Sequence, residues 1–264
     1  MNFTKMHGLG NDYLYVYGEV PENIAEISVK LSERHFGAGS DGMIYISPSK
    51  IADFKMRIFN ADGSEARMCG NGIRCVGKYV YDKGYTDKKF ISVETQSGIK
   101  YLTLQVVNGK VRTVTVDMGK AKAEKPMTLT VDGETVTLVP VSVGNPHAVI
   151  FVDDIETAPL TTLGAKIERH EAFPDGVNVE FVQVLGSDKL RMRVWERGSG
   201  VTMACGTGAC ASVMAAISSG YCRYDDTVAV LLDGGMLKIQ IASDNTVLMT
   251  GPAETVYEGE TEIC

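Results

Sequence analysis

Cys69-Gly70-Asn71-Gly72 and Cys205-Gly206-Thr207-Gly208 are one motif written twice, their cysteines standing 136 positions apart in a chain of 264 residues. At the same offset Arg57 matches Arg193, Gly84 matches Gly220, Tyr85 matches Tyr221, and Asn60 takes the place of Glu196. A repeat of half the chain predicts two similar domains, facing each other across a pseudo-twofold axis and each presenting one thiol. Working outward, strands are expected at about 13–17, 43–47, 54–59, 90–95, 99–107 and 111–117. The second half repeats them at about 134–139, 148–152, 178–184, 189–195, 227–232, 236–242 and 246–250. Helices are expected at 22–34 and 158–170, and as apolar helices over 72–81 and 208–219 that start just after each cysteine and sit inside their domain's sheet. The polar stretch Gly119-Lys120-Ala121-Lys122-Ala123-Glu124-Lys125-Pro126 reads as the interdomain connection.

Composition is that of an ordinary globular protein, 44% hydrophobic and 22% charged. Its 26 Lys and Arg against 33 Asp and Glu leave a formal charge of −7, and no basic cluster interleaves with aromatics, which argues against a nucleic-acid partner. The N-terminus MNFTKMHGLGNDYLYVY lacks the unbroken apolar core of a signal peptide, and nowhere do 18 apolar residues run together, so a cytoplasmic protein without a membrane partner is expected. Six cysteines are too few for a disulfide scaffold, and a reducing compartment leaves them as thiols.

A cysteine at a helix start has a physical purpose. The first N–H groups of a helix lack partners and carry part of a positive charge, which stabilises a thiolate and an incoming carboxylate alike. Glycines 70, 72, 206 and 208 clear the approach to those groups. Two opposed thiols suit a cofactor-independent amino-acid racemase or epimerase, in which one thiolate removes the α-proton and the other thiol protonates the opposite face. The spacings Cys69 to Cys75 and Cys205 to Cys210 are not those of a zinc knuckle, so no metal is expected. Cys75, Cys210, Cys222 and Cys264 read as structural or incidental thiols. A redox or zinc-binding protein without turnover, or a catalytically silent binding protein, remains the reading from another class.

Six blocks, in order along both halves, resemble the signatures of the diaminopimelate epimerase family. They are Lys5-Met6-His7-Gly8-Leu9-Gly10-Asn11-Asp12, Phe59-Asn60-Ala61-Asp62-Gly63-Ser64-Glu65, Cys69 to Cys75, Gly144-Asn145-Pro146-His147, Trp195-Glu196-Arg197-Gly198, and Ala204 to Cys210. The resemblance implies an α/β (α+β) fold of two pseudo-symmetric domains, each a mixed sheet or barrel curled around a central helix. It places the domains at 1–118 and 119–250, with 251–264 returning to the first. It implies interconversion of LL- and meso-diaminopimelate without pyridoxal phosphate or metal, by a homodimer. Carried over by resemblance, Cys69 and Cys205 are the acid/base thiols, with His147 near Cys69 and Glu196 near Cys205. Asn11, Asn60, Asn145, Asn178 and Arg197 hold the distal amino and carboxylate groups, Glu196 belongs to the substrate set, and Gly70-Asn71 and Gly206-Thr207 offer N–H groups to the reacting carboxylate. Gly42 replaces a glutamine frequent in the family, so a side-chain contact to substrate is expected to be missing or replaced by water. The rival within this fold is another two-cysteine racemase, such as a proline racemase; Arg197 and the asparagines argue against it, since a proline-sized substrate would leave them unpaired.

Overall fold

A computed structural model describes residues 1–263; Cys264 and its expected incidental role lie outside the described residues. The chain divides into two compact units, Met1–Val116 joined by the segment from Gly251 onward, and Asp117–Thr250.

The first unit contains β1 (Asn2–Gly8), β2 (Asn11–Tyr17), α1 (Ile24–Ser32), β3 (Gly42–Pro48), β4 (Phe54–Asn60), the short β5 (Glu65–Ala66), α2 (Gly70–Asp82), β6 (Phe90–Thr95), β7 (Gly98–Val107) and β8 (Lys110–Lys120). Antiparallel pairs β1–β2, β3–β4, β6–β7 and β7–β8 are joined through parallel pairs β2–β3 and β4–β6, so the sheet is mixed. One face carries α1, whose Ile24, Ile27 and Leu31 pack with Phe3, Leu14, Met43 and Phe59. The other face wraps α2, which touches β1, β2 and β7.

The second unit repeats the plan. It holds β9 (Lys122–Ala123), β10 (Met127–Val131), β11 (Glu134–Ser142), β12 (Pro146–Phe151), α3 (Ala165–Glu168), β13 (Asn178–Gly186), β14 (Lys189–Glu196), β15 (Gly200–Val201), α4 (Gly206–Ser218), β16 (Thr227–Leu232), β17 (Gly235–Ile241) and β18 (Thr246–Pro252). Parallel pairs β12–β13 and β14–β16 stand where β2–β3 and β4–β6 stand in the first half, with antiparallel β13–β14 between them. Helix α4 touches seven strands, β9, β11, β12, β13, β14, β16 and β17, as a helix enclosed by its sheet must.

Several elements differ from the sequence expectation. The first unit's edge is built from β1 and from β19 (Glu254–Glu260), paired antiparallel from Asn2↔Glu260 to His7↔Glu254 with a register shift at Lys5/Met6. Almost every residue of β19 is exposed, so it has no apolar periodicity to announce it and exists through its ladder to β1. Residues 158–170 do not form one helix. A 3₁₀ turn (Ile155–Thr157), a π turn (Leu160–Gly164) and α3 replace it, and the N–H groups of Leu163 and Gly164 both donate to Pro159. Gly164 is pressed against Trp195, where a Cβ would come within 3.0 Å of the Trp195 Cβ, and the irregular backbone permits that approach. The stretch 119–126 is extended chain: β8 runs to Lys120, and β9 pairs with β11. Nor is α2 apolar all round, for Arg74 and Lys78 are buried within it and must be paired there.

Candidate active site

In the first unit, Cys69 is the N-cap of α2 in extended conformation (φ −137°, ψ 116°), and its Sγ accepts from the Gly72 N–H at 3.3 Å. Sulfur here fills the place of the usual capping oxygen. The thiol also donates to Asn11 Oδ1 at 3.3 Å. Asp41 fixes which end of that amide faces the sulfur: its Oδ2 accepts from Asn11 Nδ2 at 2.8 Å and from the Asp12 N–H at 3.0 Å, while Oδ1 accepts from Arg34 at 3.0 Å. The fully buried Arg74 braces the same helix start, donating to Gly70 O, Asn71 Oδ1 and Pro252 O at 3.0–3.1 Å. Asn60 donates to Ser64 Oγ at 3.0 Å. Burial, and then the charges of Cys69 and Asp41, push the Tyr13 hydroxyl well above its ordinary value, so it stays a neutral phenol.

Gly42 has no space for a side chain. It holds φ +153°, and a Cβ would fall 2.2 Å from Phe59 O and 2.9 Å from Asn60 Cα. Glycine is there because the β3–β4 crossing requires it, so a glutamine would need a different backbone.

In the second unit, Cys205 caps α4 in the same way (φ −115°, ψ 111°), with Sγ accepting from Gly208 N–H at 3.3 Å. Thr207 Oγ1 lies 3.6 Å from the sulfur and accepts from Asn145 Nδ2 at 3.3 Å. Asn145 Oδ1 meets His147 Nε2 at 3.0 Å, and His147 Nδ1 meets Glu180 Oε1 at 2.7 Å. The parallel register His147↔Asn178 and the two-residue period of a strand bring His147, Asn178 and Glu180 onto one face. Glu196, at the end of β14, accepts a short hydrogen bond from the Thr202 hydroxyl. Burial raises the Glu196 carboxyl above its ordinary value despite the Thr202 bond, and the neighbouring Glu180 charge adds to the rise. Burial first, and then the charges of Glu196 and Glu180, hold the Cys205 thiol well above its ordinary value, against the Thr207 and Gly208 hydrogen bonds.

Asn178 is a brace: Nδ2 donates to Pro146 O at 3.1 Å and Oδ1 accepts from the Arg197 N–H at 3.0 Å, tying β12 to the turn after β14. Glu168 holds that turn from below, taking the Trp195 indole at 2.6 Å and the Gly198 N–H at 2.9 Å. The Arg197 side chain is exposed, with one guanidinium nitrogen donating to Asp175 O at 2.8 Å.

Both halves thus carry a thiol on the third N–H of a glycine-rich, enclosed helix. The sequence model of that arrangement, described as "Diaminopimelate epimerase", matches residues 3–124 and 139–256. The chain belongs to the diaminopimelate epimerase family. It is 53% identical to the diaminopimelate epimerase of Methanococcus maripaludis (strain C5), with 100% of each chain covered. It is 50% identical to that of Acetivibrio thermocellus, over 100% of this chain and 99% of the other. Among solved structures, a Bacillus anthracis phenazine biosynthesis protein of the PhzF family matches with TM-score 0.80 at 15% identity, covering 100% of this chain and 99% of that one. A probable proline racemase of Agrobacterium radiobacter K84 matches with TM-score 0.77 at 16% identity, over 100% and 93%. These two show a shared fold.

Within the diaminopimelate epimerase frame, the residues singled out from sequence fall into two sets. Asn11, Asn60, Cys69, Gly70 and Asn71 lie in the first unit; Asn145, His147, Asn178, Glu196, Arg197, Cys205, Gly206 and Thr207 lie in the second. Sequence reasoning missed Asp41, Arg74, Glu168, Thr202 and above all Glu180. The signal for Glu180 was present: one carboxylate inside the otherwise apolar or amide run Val177 to Val182. Among the described residues no group of three or more His, Cys, Asp or Glu is placed to hold a metal ion. Among the described residues no helix is long and apolar enough to cross a membrane.

Proposed function

We propose that this protein interconverts LL- and meso-diaminopimelate, serving lysine and peptidoglycan precursor synthesis, with Cys69 and Cys205 as paired base and acid. The observation that carries the reading is the duplicated cap, in which a thiol stands at the start of a glycine-rich helix in each unit of a diaminopimelate epimerase family member. One thiolate takes the α-proton, the other thiol returns a proton to the opposite face, and the roles exchange in reverse. The developing carbanion is stabilised by preorganised N–H dipoles on the substrate carboxylate, offered by Gly70-Asn71 and Gly206-Thr207. Cys205 enters as the acid in this scheme, because burial beside Glu196 and Glu180 favours its protonated form. By the family resemblance His147 serves beside Cys69 and Glu196 beside Cys205, with Asn11, Asn60, Asn145, Asn178 and Arg197 as ligands of the distal amino and carboxylate groups. The family resemblance supports a cytoplasmic homodimer acting on a small molecule alone.

Proton NMR of the reduced protein with LL-diaminopimelate in deuterated water tests the proposal. Deuterium appearing at the α-carbon of the meso product, with early substrate still protonated, is the expected result. No exchange with this substrate, but exchange with proline, would overturn the distal-group assignment and leave the thiol chemistry standing.

A further inference from the structure

Glu180 is completely buried, and its Oε2 has no hydrogen-bond partner among the described residues. A half-satisfied carboxylate in a protein interior is costly, and in native structures such groups persist where they have a use. Its other oxygen has two neighbours. Oε1 is 2.7 Å from His147 Nδ1, and it lies so close under α4 that a Cβ on Gly208 would come within 2.7 Å of it. The missing side chain of Gly208 is therefore what admits the carboxylate, and the N–H of that same glycine donates to Cys205 Sγ. From Glu180 a continuous chain leads back to the thiol through His147, Asn145 and Thr207, with steps of 2.7, 3.0, 3.3 and 3.6 Å.

The polarity of this chain is determined by its ends. Asn145 gives its amide N–H to Thr207, and its oxygen faces His147 Nε2. Nδ1 faces an oxygen of Glu180, and an ionised carboxylate only accepts, so the ring proton is held on that side. With glutamine at 180, the amide would donate to a bare Nδ1 and the proton on that side would be lost. Thr207 would then still accept from Asn145, but the ring would have lost the acceptor that orients it.

We propose that Glu180 is a positioning residue for the reaction at Cys205, fixing the tautomer and orientation of the His147 ring and, through Asn145 and Thr207, the hydrogen-bond surroundings of the thiol. This rests on the reading of Cys205 as an acid/base group. One fact independent of any substrate accompanies it: the charges of Glu196 and Glu180 both press on the Cys205 thiol.

The experiment compares the wild type with Glu180→Gln by ring ¹⁵N NMR and by the pH profile of epimerisation. The chain has only four histidines, so the His147 ring signals are assigned by their loss in His147→Gln. In the wild type Nδ1 is expected to carry the ring proton in a strong hydrogen bond; in Glu180→Gln, Nδ1 becomes unprotonated. Epimerisation is expected to fall about 10²-fold in kcat with KM little changed, and its pH profile to shift. An unprotonated Nδ1 in the wild type, which needs no variant to be seen, overturns the proposal, as do superimposable pH profiles for the two proteins. If the wild type epimerises nothing but the ring signals change as expected, the reading of function fails while the Glu180–His147 coupling stands.

Discussion

Glycine 208 and its repeat counterpart Gly72 allow the packing argument to be tested without touching a thiol. Each is the third residue of its helix and donates its N–H to the capping sulfur, so an alanine keeps the cap. What a Cβ would meet differs. At Gly72 the nearest atom is Ile44 Cδ1 at 2.7 Å, the free end of an aliphatic side chain that can turn aside. At Gly208 it is Glu180 Oε1 at 2.7 Å, with Cys205 Sγ at 3.2 Å. That oxygen is held by His147 in a fully buried setting, so it can retreat only by stretching a 2.7 Å hydrogen bond. Overpacking of this kind costs about 1–3 kcal/mol, against about 0.5–1 kcal/mol gained by replacing glycine with alanine in a helix. Gly72→Ala should be near neutral. Gly208→Ala should lose about 1–2 kcal/mol, which at about 2–4 °C per kcal/mol lowers the unfolding midpoint of its unit by about 2–8 °C. Thermal unfolding followed by circular dichroism measures the difference, and kcat should fall in Gly208→Ala alone. Equal effects of the two substitutions, or the reverse order, would refute the reasoning.

Four other outcomes follow from the same geometry. Cys69→Ser and Cys205→Ser should each lower epimerisation by about 10²–10⁴-fold, since a hydroxyl is too weak an acid to serve as the anion; near wild-type turnover by either removes the two-thiol scheme. Glu196 has its folded value raised above the unfolded one, so its contribution to stability is present below about pH 4.5 and is lost as pH rises through the raised value. Glu196→Gln, neutral throughout, should therefore gain stability over the wild type on going from pH 4 to pH 7.5 in urea unfolding, and a constant difference would contradict this. Arg74→Met leaves the Gly70 and Pro252 carbonyls and the Asn71 amide oxygen without this donor in a buried place, and should cost about 1–3 kcal/mol in the first unit by denaturant unfolding. Gly42→Gln should fail to accumulate as folded protein, because a Cβ 2.2 Å from Phe59 O cannot be accommodated; a folded, active variant would show that the β3–β4 crossing is plastic.

The repeat of one motif, with the strand periodicities on either side of it, contained most of the architecture. Strands over 43–47 and 54–59, 178–184 and 189–195, and two buried helices beginning after Cys69 and Cys205 are local features, dictated by alternation and by the cap itself. The six signature blocks likewise pointed to the family, because chemistry at a thiol imposes particular residues next to it in sequence. What sequence alone could not supply depends on contacts between distant residues. Strand β19 is exposed along nearly its whole length and is held as a strand by the hydrogen bonds that β1 offers it across more than 240 positions. Asp41 orients the amide that faces Cys69, and Glu180 holds a histidine 33 positions away, yet neither lies in a motif. Nor could the sequence say that Gly42 is a packing requirement, since the obstruction is a backbone oxygen of a neighbouring strand. Periodicity records which face of an element is dry; which polar group sits opposite which across the sheet is decided by register, and that is tertiary.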